Sequence, residues 1–242
     1  MDSFVFIDDN PLERDLVKKF LPQVEVLQMP DDISFWSDYL KQLTLFTNFG
    51  KTSEDSKKKI QYEQKLKFDD DFKNTKNKKK FLKKINLKIK VEKLNRYHYS
   101  RASQMTLKTN QFNFTSRRYS ISEISKFNND KKNMTFILNL RDYYGEHGFV
   151  SLIMLTKIKN NFIITNFLTS CRVLGRDVEK IFLNQIIKKI VKKKNKLLIE
   201  FIPTTQNSLA KKFIIENKFK ILNKKEKQKL NLNQRSNFYL LN

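Results

Sequence analysis

The sequence predicts an α/β protein whose larger, C-terminal part is an α+β unit of strands flanked by helices. Three observations predict it. Runs such as Phe162-Ile163-Ile164-Thr165-Asn166-Phe167-Leu168 are strand-sized, rich in β-branched and aromatic residues, and free of breakers. That run is followed by an apolar stripe, Leu183, Ile186, Ile187, Ile190 and Val191, at the three-and-four spacing of a helix over about 175–193. Finally, 242 residues that are 39% hydrophobic and 12% aromatic can bury a core despite 31% charged residues.

The elements follow in order. Ser3 to Ile7 is a short apolar strand that runs into Asp8-Asp9-Asn10-Pro11. Pro11 suits a first helical turn, and the helix from Glu13 to Phe20 puts Leu12, Leu16, Val17 and Phe20 on one face. Val24 to Met29 reads as the next strand. From Asp31 to about Phe49 the apolar spacing is helical, and Thr52-Ser53-Glu54-Asp55 supplies a cap for a further helix over 53–68. Residues 69–80, acidic and then rich in Lys and Asn, read as a loop, with a domain boundary between 50 and 92.

Beyond it, Ile85, Leu87, Ile89 and Val91 alternate with polar residues up to Leu94, as in a half-buried strand. Helices are expected near 101–109 and 120–128. Met134 to Leu140 and Phe149 to Thr156 read as strands joined by a turn over Gly145 to Gly148, and 161–168 continues the meander. The junction helix, a strand from Lys196 to Ile202, a helix over 207–217 and strands at Phe219–Leu222 and Asn237–Leu241 complete the chain.

Composition narrows the function classes. One cysteine excludes an intrachain disulfide framework, no apolar run approaches the roughly 18 residues of a membrane span, and no secretory signal pattern opens the sequence. A reducing cytoplasm is the expected compartment. The net charge of +24 invites nucleic-acid binding. The lysines, however, are scattered along the chain, so nonspecific nucleic-acid binding ranks third among the functional readings.

The junction Thr169-Ser170-Cys171-Arg172-Val173-Leu174-Gly175-Arg176-Asp177 carries the chemistry. A helix N-terminus offers free N–H groups and partial positive charge to phosphate oxygens. Gly175 permits close approach, and Arg172 and Arg176 add charge. Asp177 puts a carboxylate beside the same site.

The element order from 85 onward resembles the GNAT acyltransferase fold. In that fold a Gln/Arg-x-x-Gly-x-Gly/Ala loop holds the pyrophosphate of coenzyme A. Arg172-Val173-Leu174-Gly175-Arg176 matches it and Asp177 departs. The later signature is similar to Asn207-Ser208-Leu209-Ala210, with Ile214 where the fold has a tyrosine and Lys218 where it has a glycine. An aliphatic Ile214 cannot protonate a leaving thiolate.

A longer match follows. Thr109-Asn110-Gln111-Phe112-Asn113-Phe114-Thr115-Ser116-Arg117-Arg118-Tyr119 and Ser170 through Arg176 resemble hallmark runs of FkbH-like proteins. Phe6-Ile7-Asp8-Asp9-Asn10, Thr52-x-Glu54-Asp55, Asp142 and Pro203-Thr204-x-x-Asn207 fit the same family. Its members join a HAD-type (subfamily IIIC) domain to a GNAT-like domain, and the resemblance implies polyketide-type loading of glyceryl or other acyl units onto acyl carrier proteins.

The resemblance implies three parts: residues 1–50 as the end of a HAD-like domain, 51–84 as a helical linker and loop, and 85–242 as the GNAT-like domain. Asp8 and Asp9 resemble the last HAD motif, an incomplete Mg²⁺ site, since hard cations take oxygen ligands. Capping of the following helix is the plain alternative. Nothing precedes the first strand that reads as the HAD nucleophile Asp-x-Asp or its lysine. Phosphatase chemistry is therefore not expected of this chain alone: either a separate chain, as a partner, supplies the missing half, or the HAD part is a structural remnant of a split or shortened gene.

Roles are assigned accordingly. Cys171 would sit near a helix N-terminus and Arg172, which favour thiolate, and would carry an acyl group; burial as a small hydrophobe is its alternative. Asp142 is the candidate general base. Arg172, Val173, Gly175, Arg176 and Asn207 would bind the cofactor, coenzyme A or a phosphopantetheine thioester. Asn110, Gln111, Asn113, Arg117 and Arg118 would hold substrate, and His147 reads as an exposed turn residue. The leading expectation is an acyltransferase; an inert assembly subunit completing another chain's HAD domain stands second.

Overall fold

The computed structural model describes residues 4–43, 58–191, 195–217, 219–230, 232–233 and 236–240. Their contacts group them into two units, 1–50 and 51–242. The expected cap at Thr52 to Asp55 and the signature residue Lys218 lie outside the described residues.

In the first unit, β1 (Val5–Phe6) pairs in parallel with β2 (Glu25–Val26) across α1 (Pro11–Phe20). Asn10 caps α1 through Leu12 N at 3.0 Å, with Pro11 in its first turn. Both strands are shorter than the apolar runs that predict them. A 3-10 turn (Ile33–Phe35), started by the Asp32 side chain, leads into α2 (Trp36–Gln42).

The second unit opens with α3 (Lys58–Asn74) and α4 (Lys78–Lys84). The acidic stretch expected as loop, Asp69 to Asp71, is thus helical, and Ile85 caps α4 rather than starting a strand. Phe68, Phe72 and Phe81 pack their rings together, an anchor that charge composition alone conceals.

Then come β3 (Lys88–Lys93), α5 (Tyr99–Lys108), α6 (Ile121–Asn129), β4 (Asn133–Asp142), β5 (Gly145–Ile158), β6 (Asn161–Thr169), α7 (Val178–Ile190), β7 (Leu197–Phe201), α8 (Ser208–Glu216), β8 (Lys220–Ile221), α9 (Lys224–Lys229) and β9 (Asn237–Leu240). This is the expected order with α9 added. A capping box at Asn223 and Glu226 forms α9 in a segment too short and polar to show periodicity.

The seven strands form one mixed sheet in the order β3-β4-β5-β6-β7-β9-β8. Every pairing is antiparallel except β6 with β7, which α7 connects as a crossover. The main apolar cluster gathers Phe114, Phe167, Val178, Phe182, Ile186 and Ile199. A second, with Ala102, Met105, Ile124 and Leu152, lies under α5 and α6. Among the described residues no helix is long and apolar enough to cross a membrane.

Candidate functional site

The parallel seam between β6 and β7 holds for only three pairs, Phe162–Leu197, Ile163–Leu198 and Ile164–Ile199, and then opens. Open strand edges present unpaired backbone donors and acceptors. The segment Phe112-Asn113-Phe114 fills this gap. Phe114 N donates to Phe167 O at 3.0 Å, Thr169 N donates to Phe112 O at 3.0 Å, and Ile202 N donates to Phe114 O at 2.9 Å. Phe114 is fully buried and stacks on Phe167 with ring centroids 5.2 Å apart.

The polar residues of 109–119 secure this insertion. Asn113, fully buried, donates to Thr109 O at 3.0 Å and accepts from Ser116 N at 2.9 Å. Asn207 clamps the insertion from the far side, donating to Asn113 O at 3.0 Å and Ile202 O at 2.9 Å. Arg117 spans the gap, with two hydrogen bonds of 2.6 Å to Glu200 on β7 and one of 3.2 Å to Thr165 O on β6. Arg118 donates to Thr106 O, Leu107 O, Thr109 O and the Asn110 side chain, closing the C-terminal end of α5. Gln111 is exposed. The expected substrate group is therefore brought together, but Asn113, Arg117 and Arg118 are engaged with the protein's own backbone and side chains.

Asp142 and His147 likewise depart from expectation. His147 is 1% exposed, buried against Asp142 rather than on an open turn. The turn is Tyr143-Tyr144, and β5 already runs at Gly145, which carries His147 inward. The Asp142 carboxylate accepts from His147 Nε2 at 2.9 Å, Arg176 Nε at 2.7 Å and Tyr144 N at 2.9 Å. Burial raises its pKa, but His147 and Arg176 outweigh burial and hold it below the usual carboxylate range. A carboxylate held so acidic is a poor proton acceptor, which counts against Asp142 as general base.

The junction itself is also reordered. Cys171–Val173 forms a 3-10 turn, and α7 starts only at Val178, with Asp177 ahead of it at φ 57° and making no side-chain cap. Exposed Cys171 therefore lies outside the first turn of the helix that would favour its thiolate. Arg172 turns back to His147 O at 2.8 Å. Arg176, fully buried, lies 3.7 Å over the Phe68 ring, and a Cβ at Gly175, at φ 89°, would come within 3.6 Å of the same ring. Val173 is part of the core.

Asp8 and Asp9 form a capping turn. Asp8 Oδ1 accepts from Asn10 N at 2.8 Å, and Arg14 donates to the carbonyls of Asp8 and Asp9 at 2.9 and 2.8 Å. Among the described residues no third His, Cys, Asp or Glu joins them. With a guanidinium already on the turn, these two residues do not fit an octahedral Mg²⁺ site by themselves.

A cleft of about 340 Å³ opens between the head of α7 and α8. Leu174, Gly175, Asp177, Glu179 and Lys180 line one side, Leu209, Lys212, Phe213, Glu216 and Asn217 the other, and Phe112 of the insertion also lines it. Its volume lies within the range of ligand sites, about 300–1,000 Å³. A larger, open groove of about 700 Å³, between α3 and Tyr143-Tyr144, contains none of the expected site residues.

Glu179 is the residue that sequence reasoning missed. It is 7% exposed, and its Oε1 is buried without a hydrogen-bond partner among the described residues. Burial, followed by the charge of Asp177, pushes its pKa up to about 7, against the pull of its own backbone N–H and Arg176. An acid in a helix's first turn is ordinarily solvated, so the pattern gave no sign of it.

No family model matches the chain, and no curated protein matches it. Similar solved structures include the ribosomal-protein-S18-alanine N-acetyltransferase of Escherichia coli, with a TM-score of 0.45 and 10% identity, covering 63% of this chain and 91% of that one. The PaiA N-acetyltransferase of Thermoplasma acidophilum in complex with coenzyme A has a TM-score of 0.45 and 14% identity, covering 63% and 98%. Arabidopsis thaliana NAA60 in complex with a bisubstrate analogue has a TM-score of 0.46 and 11% identity, covering 63% and 97%.

Proposed function

We propose that the second unit is a GNAT-like, FkbH-like acyl-transfer domain. It holds a phosphopantetheine thioester, on coenzyme A or an acyl carrier protein, in the cleft between α7 and α8. The observation that carries this reading is the cleft, which follows a glycine-bearing turn in a β6–α7–β7 crossover and is closed on the far side by α8. The resemblance of the runs at 109–119 and 170–176 supports the same reading.

The residues present fit a pantetheine arm in part. Leu174, Leu209 and Phe213 give apolar walls, Gly175 allows close approach, and Lys180 and Lys212 offer cations to a phosphate. A bound thioester would supply an activated acyl carbonyl. Arg172, Arg176 and Asn207 then have a framework role, holding the turn and the insertion rather than the phosphates. Cys171 remains the exposed thiol to which an acyl group would pass. No phosphoryl chemistry is assigned to the first unit, whose Asp8-Asp9 turn is already engaged by Arg14 and does not by itself fit a Mg²⁺ site.

A second reading, an inert binding or assembly subunit, is favoured by the filled seam, because Phe112 and Phe114 occupy the β6 edge that an extended amide chain would otherwise pair with. Calorimetric titration with coenzyme A and with a phosphopantetheinylated carrier protein tests the first reading. Binding that weakens in a Lys180→Ala, Lys212→Ala variant is expected. No binding of either ligand by the intact protein would overturn it, and binding without transfer to any acceptor or to Cys171 would leave the second.

A further inference from the structure

The insertion and Glu179 together say where a bound pantetheine would find its hydrogen bonds. An extended arm with two amides needs acceptors for its N–H groups once it leaves water. The β6 edge cannot supply them, since Phe167 O already accepts from Phe114 N and Thr165 O from Arg117. Among the residues lining the cleft, Glu179 is the one with a buried side-chain atom that lacks a hydrogen bond among the described residues.

We propose that Glu179 is the positioning residue of the cleft, its carboxylate accepting a hydrogen bond from a pantetheine amide N–H and so fixing the arm against Phe112 and Phe213. This rests on the assignment of a pantetheine ligand to the cleft. A carboxylate oxygen buried without a partner, as Oε1 is, is costly, and an uncharged amide donor relieves that cost without adding charge. The opposite arrangement, a protonated Glu179 donating to a phosphate, would bring anionic oxygens towards Asp177 and Glu216, with Arg176 turned to Asp142.

The two arrangements move protons in opposite directions. A group half-protonated near pH 7 that binds the ligand as a carboxylate must release a proton on binding; one that donates as the acid must take a proton up. Calorimetry of D-pantetheine and of coenzyme A at pH 7, in buffers of different ionisation enthalpy, reads this directly. The expected result is proton release with both ligands. Glu179→Gln should abolish the release while keeping most of the affinity, and Glu179→Leu should weaken binding about tenfold. Binding with no proton release, or with uptake, overturns the role of Glu179 and leaves the pantetheine assignment standing. Absence of binding by either ligand overturns both. The wild-type measurement decides even if a variant fails to fold.

Discussion

Arg117 and Glu200 are joined by two parallel hydrogen bonds of 2.6 Å across the gap where β6 and β7 part. Glu200 is 4% exposed, so removing its partner strands a buried carboxylate. Arg117→Ala is expected to cost about 2–3 kcal/mol in urea unfolding, below the roughly 3–5 of a fully buried pair because the arginine side chain is 36% exposed. Arg117→Lys should recover little, since a point charge cannot make the paired contact.

Asp142 and Arg176 tie the β4–β5 turn to the junction loop at 2.7 Å. Because the folded-state pKa of Asp142 is lowered, its stabilising effect is present above the unfolded value of about 3.9 and is lost as pH falls through the folded one. Asp142→Asn should therefore lower Tm at pH 7, with the gap to wild type closing as pH drops below about 3.9. Thermal scans across pH 2–7 check the sign.

For Glu179 the sign reverses. Its folded-state pKa of about 7 lies above the unfolded value of about 4.3, so its contribution is fully present below about 4.3 and lost as pH rises through 7. Glu179→Gln should match wild type near pH 4 and be more stable at pH 8, by up to about 3 kcal/mol. A stability gap that does not change with pH would count against the buried carboxyl.

Phe114 occupies the opened seam with no exposed surface, among the rings of Phe112, Phe167, Phe201 and Phe213. Phe114→Ala should cost about 3–5 kcal/mol by denaturant unfolding, as large-to-small changes in a packed core do. A loss below about 1 kcal/mol would mean that the insertion is not part of the core.

Much of the sheet was legible because its strands carry their own signal. Phe162 to Leu168 is strand in β-branched and aromatic composition, and the stripe from Leu183 to Val191 is helix in spacing. What failed was local punctuation and long-range pairing. Gly175 suggested the start of a helix, but the chain needs Asp177 in a left-handed conformation before α7 can begin. Asp69 to Asp71 looked like loop because their charges mask the phenylalanine anchor of α3. The roles of Asp142 with Arg176, 34 residues apart, and of Arg117 with Glu200, 83 apart, depend on the folded sheet. Asp142, Arg176 and Arg117 each look in sequence like a free catalytic or binding side chain.

The central claim is that the cleft between α7 and α8 receives a phosphopantetheine arm. Backbone hydrogen exchange with and without saturating coenzyme A tests it most directly. Slowed exchange is predicted at 174–180 and 209–217, with the Phe114 amide, bonded to Phe167 O, already protected in the free protein. Unchanged exchange at both segments, or slowing confined to other parts of the chain, would contradict it.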